Sequence, residues 1–142
     1  MKTREQLFSF IRKQKVSFIA SVDEEGYPNM KAMFMPGKIE DDSFYYSTNT
    51  SSLRATQFLD NPKASIYFYN KGRFKYEAVM LTGTMEVLQD PQIKEELWHP
   101  QYVIYYKQGV TDPDYCVLKF TAVRGRHYCA LKTENFRMED LT

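Results

Sequence analysis

The chain has little of what builds a metal site, a disulfide scaffold or a membrane span. Its 142 residues include only two cysteines and two histidines. Two cysteines make no disulfide framework. If Cys116 and Cys129 lie on the arms of a hairpin turning at Arg124-Gly125, Cys129 faces Phe120 and Cys116 sits roughly 13 Å further along, at about 3.3 Å per residue. That is too far for a bridge. With no CxxC pair and only His99 and His127, a structural zinc site is not expected. No apolar run approaches the roughly 18 residues needed to cross a bilayer. The opening MKTREQLFSF has no signal-peptide apolar core. A cytoplasmic location without a membrane partner is the expectation.

Charge of one sign is also lacking. Lys plus Arg is 19 and Asp plus Glu is 18, a net charge of +1. This balance gives no general attraction to nucleic acid, and no nucleic-acid partner is expected. The absence of GxGxxG excludes a Rossmann dinucleotide site. The absence of GxSxG leaves nucleophilic hydrolysis little support. Acidic pairs such as Asp23-Glu24 and Asp41-Asp42 fall in turns and read as solvated.

Aromatic residues, by contrast, are abundant, with eleven Tyr and ten Phe, and that favours strands. A helix is expected over 3–14, with Thr3 and Gln6 as a capping box and Leu7, Phe8 and Ile11 on one stripe. Residues 16–22 alternate, with Val16, Phe18, Ala20 and Val22 on one face. A turn ending at Gly26 leads to a return strand over 27–36, on which Lys31 is a cation among apolar neighbours. Residues 37–42 read as a polar turn. Strands follow at 43–47, 63–70 and 74–88, and Gly83 marks a bulge or bend in the last of these. Asp90-Pro91 opens a helix that His99-Pro100 breaks. A last hairpin is expected from 116–123 and 126–131, followed by a polar tail. The pattern is mainly β: an antiparallel barrel or sandwich of six or seven strands with a few short peripheral helices.

One stretch carries chemistry. Residues 44–62, FYYSTNTSSLRATQFLDNP, run from an aromatic strand through small polar residues into a helix. The first amides of such a helix lack partners, and the macrodipole places partial positive charge there. Arg54 falls in that first turn, where the dipole disfavours a cation. A phosphate between Lys31, Arg54 and the 48–52 backbone would explain both cations through charge-assisted bonds. Plain capping by Thr50 or Ser51 beside a solvated Arg54 is the simpler alternative. A saccharide- or oligonucleotide-binding barrel would use the tyrosines but calls for a basic groove.

Four segments together resemble the pyridoxamine 5′-phosphate oxidase-like FMN-binding split barrels, within them the general stress protein branch. They are PNMKAMFMP (28–36), FYYSTNTSSLRATQFLDNPKASIYFY (44–69), LTGTMEVLQD (81–90) and LWHPQYVIYYKQGVTDPDYCVLKF (97–120). The resemblance implies one split β-barrel domain over 1–142 and a homodimer with FMN at its interface. It implies an FMN-dependent oxidoreductase acting on an unidentified small molecule. It puts Lys31 and Arg54 on the flavin phosphate and Ala32 and Met33 beside the isoalloxazine. Ser47, Thr48 and Ser52 match the family's hydroxyl and backbone contacts, with Asn49 adjacent. Trp98 and Tyr128 would reach the flavin of the partner subunit.

The chain departs from the oxidase pattern at Leu53 and Pro36, where that enzyme has basic residues, and in lacking its C-terminal Arg-Leu-His-Asp-Arg type motif. Oxidation of pyridoxamine phosphate is therefore not expected. The alternatives are a flavin-binding stress or sensor protein without turnover, or a related barrel binding haem or deazaflavin F420. For haem, His99 or His127 would be the axial ligand.

Overall fold

The computed structural model describes residues 2–142. Helix α1 (Arg4–Arg12) starts where the capping box is expected: Gln6 N–H donates to Thr3 Oγ1 at 3.2 Å and Thr3 N–H to Gln6 Oε1 at 3.0 Å. Leu7, Phe8 and Ile11 are its buried face. The strands are β1 (Val16–Val22), β2 (Pro28–Phe34), β3 (Lys38–Glu40), β4 (Ser43–Asn49), β5 (Lys63–Asn70), β6 (Glu77–Leu88), β7 (Tyr115–Cys129) and β8 (Lys132–Arg137). Helices α2 (Leu53–Asp60) and α3 (Pro91–Leu97) follow β4 and β6.

All strand pairings are antiparallel, in the order β2-β1-β5-β6-β7-β4-β3, with β8 also on β7. β7 is long enough to serve two neighbours on one side, β4 along its first half and β8 along its second. The sheet curls around a core in which Phe44, Phe68, Phe120, Leu81 and Leu118 meet the buried face of α1. Its two ends, β2 and β3, are not paired to each other, which leaves the barrel split.

The mainly β antiparallel class is as expected, with two short strands added. The 37–42 turn holds β3, closed by Asp41 at φ 53, and the polar tail holds β8. The expected hairpin at Arg124-Gly125 is wrong: β7 runs straight through it. Gly125 serves packing rather than turning. A Cβ there would lie 2.5 Å from the Phe136 ring and 2.8 Å from Leu81. The turn comes later, at Ala130 (φ 50) and Leu131 (φ 66), two left-handed residues in a two-residue loop. Cys116 and Cys129 therefore stand at opposite ends of one 15-residue strand, and both are free.

β1 also buries the face its pattern does not advertise. Ser17, Ile19 and Ser21 point inward, while the Val16 face stays partly open. Ser17 Oγ donates to the Phe34 carbonyl at 3.2 Å, and Ser21 Oγ hydrogen-bonds Gln57 of α2, so the inward hydroxyls are satisfied. The opposite face continues across β2, where Phe34 is 90% and Met30 70% exposed. Among the described residues no helix is long and apolar enough to cross a membrane.

Two outcomes follow from this backbone. Gly83 sits at the β6–β7 register shift, where a Cβ would fall 1.9 Å from the Thr121 carbonyl oxygen. Gly83→Ala should cost about 2 kcal/mol in urea unfolding; an unchanged midpoint would show that the bulge is loose. Leu131 is 89% exposed in a left-handed conformation. Leu131→Gly should stabilise the protein by about 1 kcal/mol in the same assay, and a loss of stability would mean that the side chain packs in solution.

Candidate functional site

The split creates the site. β7 accompanies β4 along its whole length, but β3 accompanies it only from Ser43 to Tyr45. The Gly37 amide donates to the Tyr45 carbonyl, so odd-numbered residues of β4 direct their backbone groups to that side. Past Tyr45 the backbone of Ser47 and the Asn49 amide therefore face an open edge, while the Asn49 carbonyl accepts the Ser52 amide at 3.1 Å. β2 has a free edge too. The Asp23–Tyr27 closing bond sets the phase of the β1–β2 ladder, which turns the Ala32 amide and carbonyl outward.

Between these edges lies a cleft of about 460 Å³. Lys31, Ala32 and Met33 line it from β2, and Ser47, Thr48 and Asn49 from β4. Six of the ten site residues expected from sequence thus share one cavity. Its far wall, Tyr102, Tyr105 and Tyr106, was not anticipated from sequence. That wall stands on the 3-10 turn Pro100–Ile104 and the residues after it. Burial pushes the Tyr106 phenol up to about 12, so it is a neutral donor at ordinary pH.

At one end the chain turns from β4 into α2. The cap of α2 is Ser52, not Thr50 or Ser51: the Ala55 amide donates to Ser52 Oγ at 3.2 Å. Thr50 and Ser51 are held instead by Asp114. Thr50 Oγ1 donates to Asp114 Oδ1 at 2.7 Å, the Ser51 amide to the same oxygen at 2.9 Å, and Ser51 Oγ to Oδ2 at 3.2 Å. Those bonds, the Thr50 hydroxyl foremost, hold the Asp114 carboxyl below its usual range. No local signal marks Asp114 in the sequence, because its partners lie 63 and 64 residues away.

With the 50–52 hydroxyls so engaged, the groups still open at this end are few. The amides of Leu53 and Arg54, first in the helix, have no acceptor among the described residues. Arg54 Nη2 donates to Thr48 Oγ1 at 3.3 Å. Its Nε is buried without a partner, and no carboxylate pairs with it among the described residues. Burial lowers its pKa. A partly desolvated guanidinium with neither counterion nor full hydrogen bonding is costly, and an anion would relieve it. Ser52 and Arg54 do not line the cleft themselves; Arg54 adjoins it through Thr48, which does. As a donor set, the guanidinium and the two helix amides fit a phosphate beside the cleft, with Lys31 lining it from β2.

The remaining expected residues lie elsewhere. Trp98 packs within its own chain, with ring centroids 5.2 Å from Tyr115 and 5.6 Å from Tyr102, behind the tyrosine wall. Tyr115 ties that cluster to the cleft: its hydroxyl donates to the Lys94 carbonyl at 3.1 Å and receives Ser47 Oγ at 3.4 Å. Tyr128 is on another face, edge-on to Tyr76 in a second hollow with Tyr67 and Arg126. Neither histidine lines the cleft. His99 Nδ1 accepts from the Gln101 amide at 3.2 Å, and His127 Nε2 is bonded to Glu77 at 2.7 Å. No cluster of metal-ligating side chains occurs among the described residues.

The sequence profile described as pyridoxamine 5′-phosphate oxidase matches residues 3–129. The pyridoxine/pyridoxamine 5′-phosphate oxidase of Rhizobium etli is 32% identical over 74 residues, which covers 52% of this chain and 34% of that one. The matched stretch thus spans about a third of that relative. A Clostridium acetobutylicum protein related to general stress protein 26 of B. subtilis (pyridoxinephosphate oxidase family) superposes with a TM-score of 0.83 at 35% identity, over 97% of this chain and 96% of that one. A heme binding protein from Mycobacterium smegmatis shares the fold alone, with a TM-score of 0.71 at 16% identity, over 92% of this chain and 55% of that one. The chain belongs to the pyridoxamine 5′-phosphate oxidase family.

Proposed function

We propose that this chain is an FMN-dependent oxidoreductase: a single domain over residues 1–142 that binds the flavin by its phosphate at the Arg54 end of the cleft and works as a homodimer on a small molecule. The observation that carries the reading is the partly buried Arg54 guanidinium, oriented by Thr48 and without a counterion. Lys31 supplies the second charge. The Leu53 and Arg54 amides supply directional donors, and Ser52 keeps the helix start in register. The open edges at Ala32 and Ser47, with the Asn49 amide, offer backbone donors and acceptors to a planar ring, with Met33 beside it. Trp98 backs the tyrosine wall opposite. Bound FMN would supply the electron-carrying chemistry; the chain binds it, orients it and shields it from water. The substrate lies outside this reading, and pyridoxamine phosphate oxidation is not part of it.

The homodimer rests on the uncovered sheet face. Residues of β2, β1 and β5 there are apolar and aromatic, including Met30, Phe34 and Tyr69, all exposed in the single chain. A contiguous apolar face of this kind marks an interface, and a second copy would cover it isologously. Tyr128 lies on the same sheet and is the residue proposed to reach the flavin of the partner subunit. A cytoplasmic location accords with the two free thiols. Haem is disfavoured because both imidazoles are engaged away from the cleft.

The charge assignment separates FMN from riboflavin, which lacks the phosphate. In fluorescence-quenching titrations, Lys31→Ala with Arg54→Ala should weaken FMN binding about a hundredfold, from loss of two charge-assisted contacts, and leave riboflavin within about twofold. Equal loss for both ligands would refute the phosphate assignment. For the dimer, Met30→Glu should convert the protein to monomers in sedimentation velocity. An unchanged sedimentation coefficient would mean that this face is not the interface.

A further inference from the structure

Asp114 has no place in the flavin site as drawn so far, yet it organises the turn that forms one end of it. Its two carboxylate oxygens take three donors from Thr50 and Ser51, at 2.7, 2.9 and 3.2 Å. Its own carbonyl accepts the Thr50 amide at 2.7 Å. Asp114 is itself placed from behind: its amide donates to Asp112 Oδ1 at 2.9 Å, and the Asp112 carbonyl accepts the buried Lys94 ammonium at 3.1 Å. Lys94 also lies over the Tyr115 ring, 5.4 Å from its centroid. A chain of contacts thus runs from α3 through Asp112 and Asp114 to the Thr50-Ser51 turn.

We propose that Asp114 is a positioning residue for the phosphate end of the site. The inference rests on the FMN reading above. A carboxylate is a surprising neighbour for a phosphate site, since it would repel a dianion. Its geometry shows how the two coexist. Asp114 makes no ion pair with Arg54, so it does not neutralise the guanidinium. Its negative charge is instead directed at the hydroxyls and amide of the turn, which holds it ionised.

The consequence is steric. With Thr50 and Ser51 clamped toward β7, the chain leaves the turn with Ser52 already extended, at φ −69 and ψ 146, and in reach of the Ala55 amide. The Leu53 and Arg54 amides then point out of the turn, and the Arg54 side chain folds back to Thr48. Without the clamp, the Thr50 and Ser51 hydroxyls would be free to compete for those amides, as short polar side chains do.

The experiment compares FMN with riboflavin on the full chain. Asp114→Ala should lower FMN affinity about tenfold, the equivalent of about 1.4 kcal/mol, and leave riboflavin within about twofold. Asp114→Asn can still accept at Oδ1 from Thr50 and Ser51 and should restore the preference for FMN, because the role is one of shape. Should Asp114→Ala not fold, Thr50→Val removes one clamp bond and decides the matter by a smaller loss in the same direction. Variants that fold and keep the wild-type ratio of FMN to riboflavin affinity would overturn the positioning role. Asp114→Asn behaving like Asp114→Ala would also overturn it, since charge and not shape would then matter. A wild-type protein that does not distinguish the two flavins would instead refute the phosphate reading itself.

Discussion

β4 keeps a partner on one side along its full length and on the other side only as far as Tyr45. That unequal pairing is the constraint on which the rest of the site depends. A closed barrel would satisfy every backbone group internally and leave nothing to offer a ligand. Here the sheet stops short, and two free edges face one cleft. The 3-10 wall of tyrosines and α3 cover its far side without filling it. The barrel is thus stabilised by its aromatic core, centred on Phe44, while the candidate binding groups sit where pairing has run out.

The second element is a charge that the fold does not neutralise. Some other cations of this chain have carboxylate partners: Lys38 lies 2.7 Å from Glu96, which raises its pKa, and Arg4 lies 2.6 Å from Asp42. Arg54 is more buried than these surface pairs require and has a threonine hydroxyl instead of a carboxylate. Carboxylate is available nearby, in Asp114, but it is spent on Thr50 and Ser51. Positive charge is therefore left at a helix N-terminus, where it adds to the helix dipole and offers a local reason to bind an anion.

Much of this was legible in the sequence where the physics is local. The capping box at Thr3, the Asp90-Pro91 helix start and the Gly83 bulge each rest on a few adjacent residues, and each is found as expected. Lys31 shares a cleft with Ser47–Asn49 because the sheet curls, not because their strands are neighbours: β2 and β4 stand far apart in the strand order. The failures share a different cause. Arg124-Gly125 looks like a turn, yet Gly125 is there because Phe136 and Leu81 leave no room for a Cβ. Ala130-Leu131 makes the actual turn with no turn-forming residue at all. Which face of β1 is buried has no local signal either, because the partners of its inward serines, Phe34 and Gln57, lie far along the chain. Asp114 was invisible for the same reason: its role exists only once β7 is laid against β4.

The central claim is that the Arg54 end of the cleft binds a phosphate dianion, and 31P NMR of FMN tests it most directly. With protein in excess, the account predicts a shifted phosphate resonance whose second ionisation moves to lower pH than in free FMN. Opposite charge favours the dianion, so the doubly charged form should persist as the pH falls. A resonance that keeps the position and titration of free FMN, with the flavin ring shown to be bound by quenched fluorescence, would contradict it.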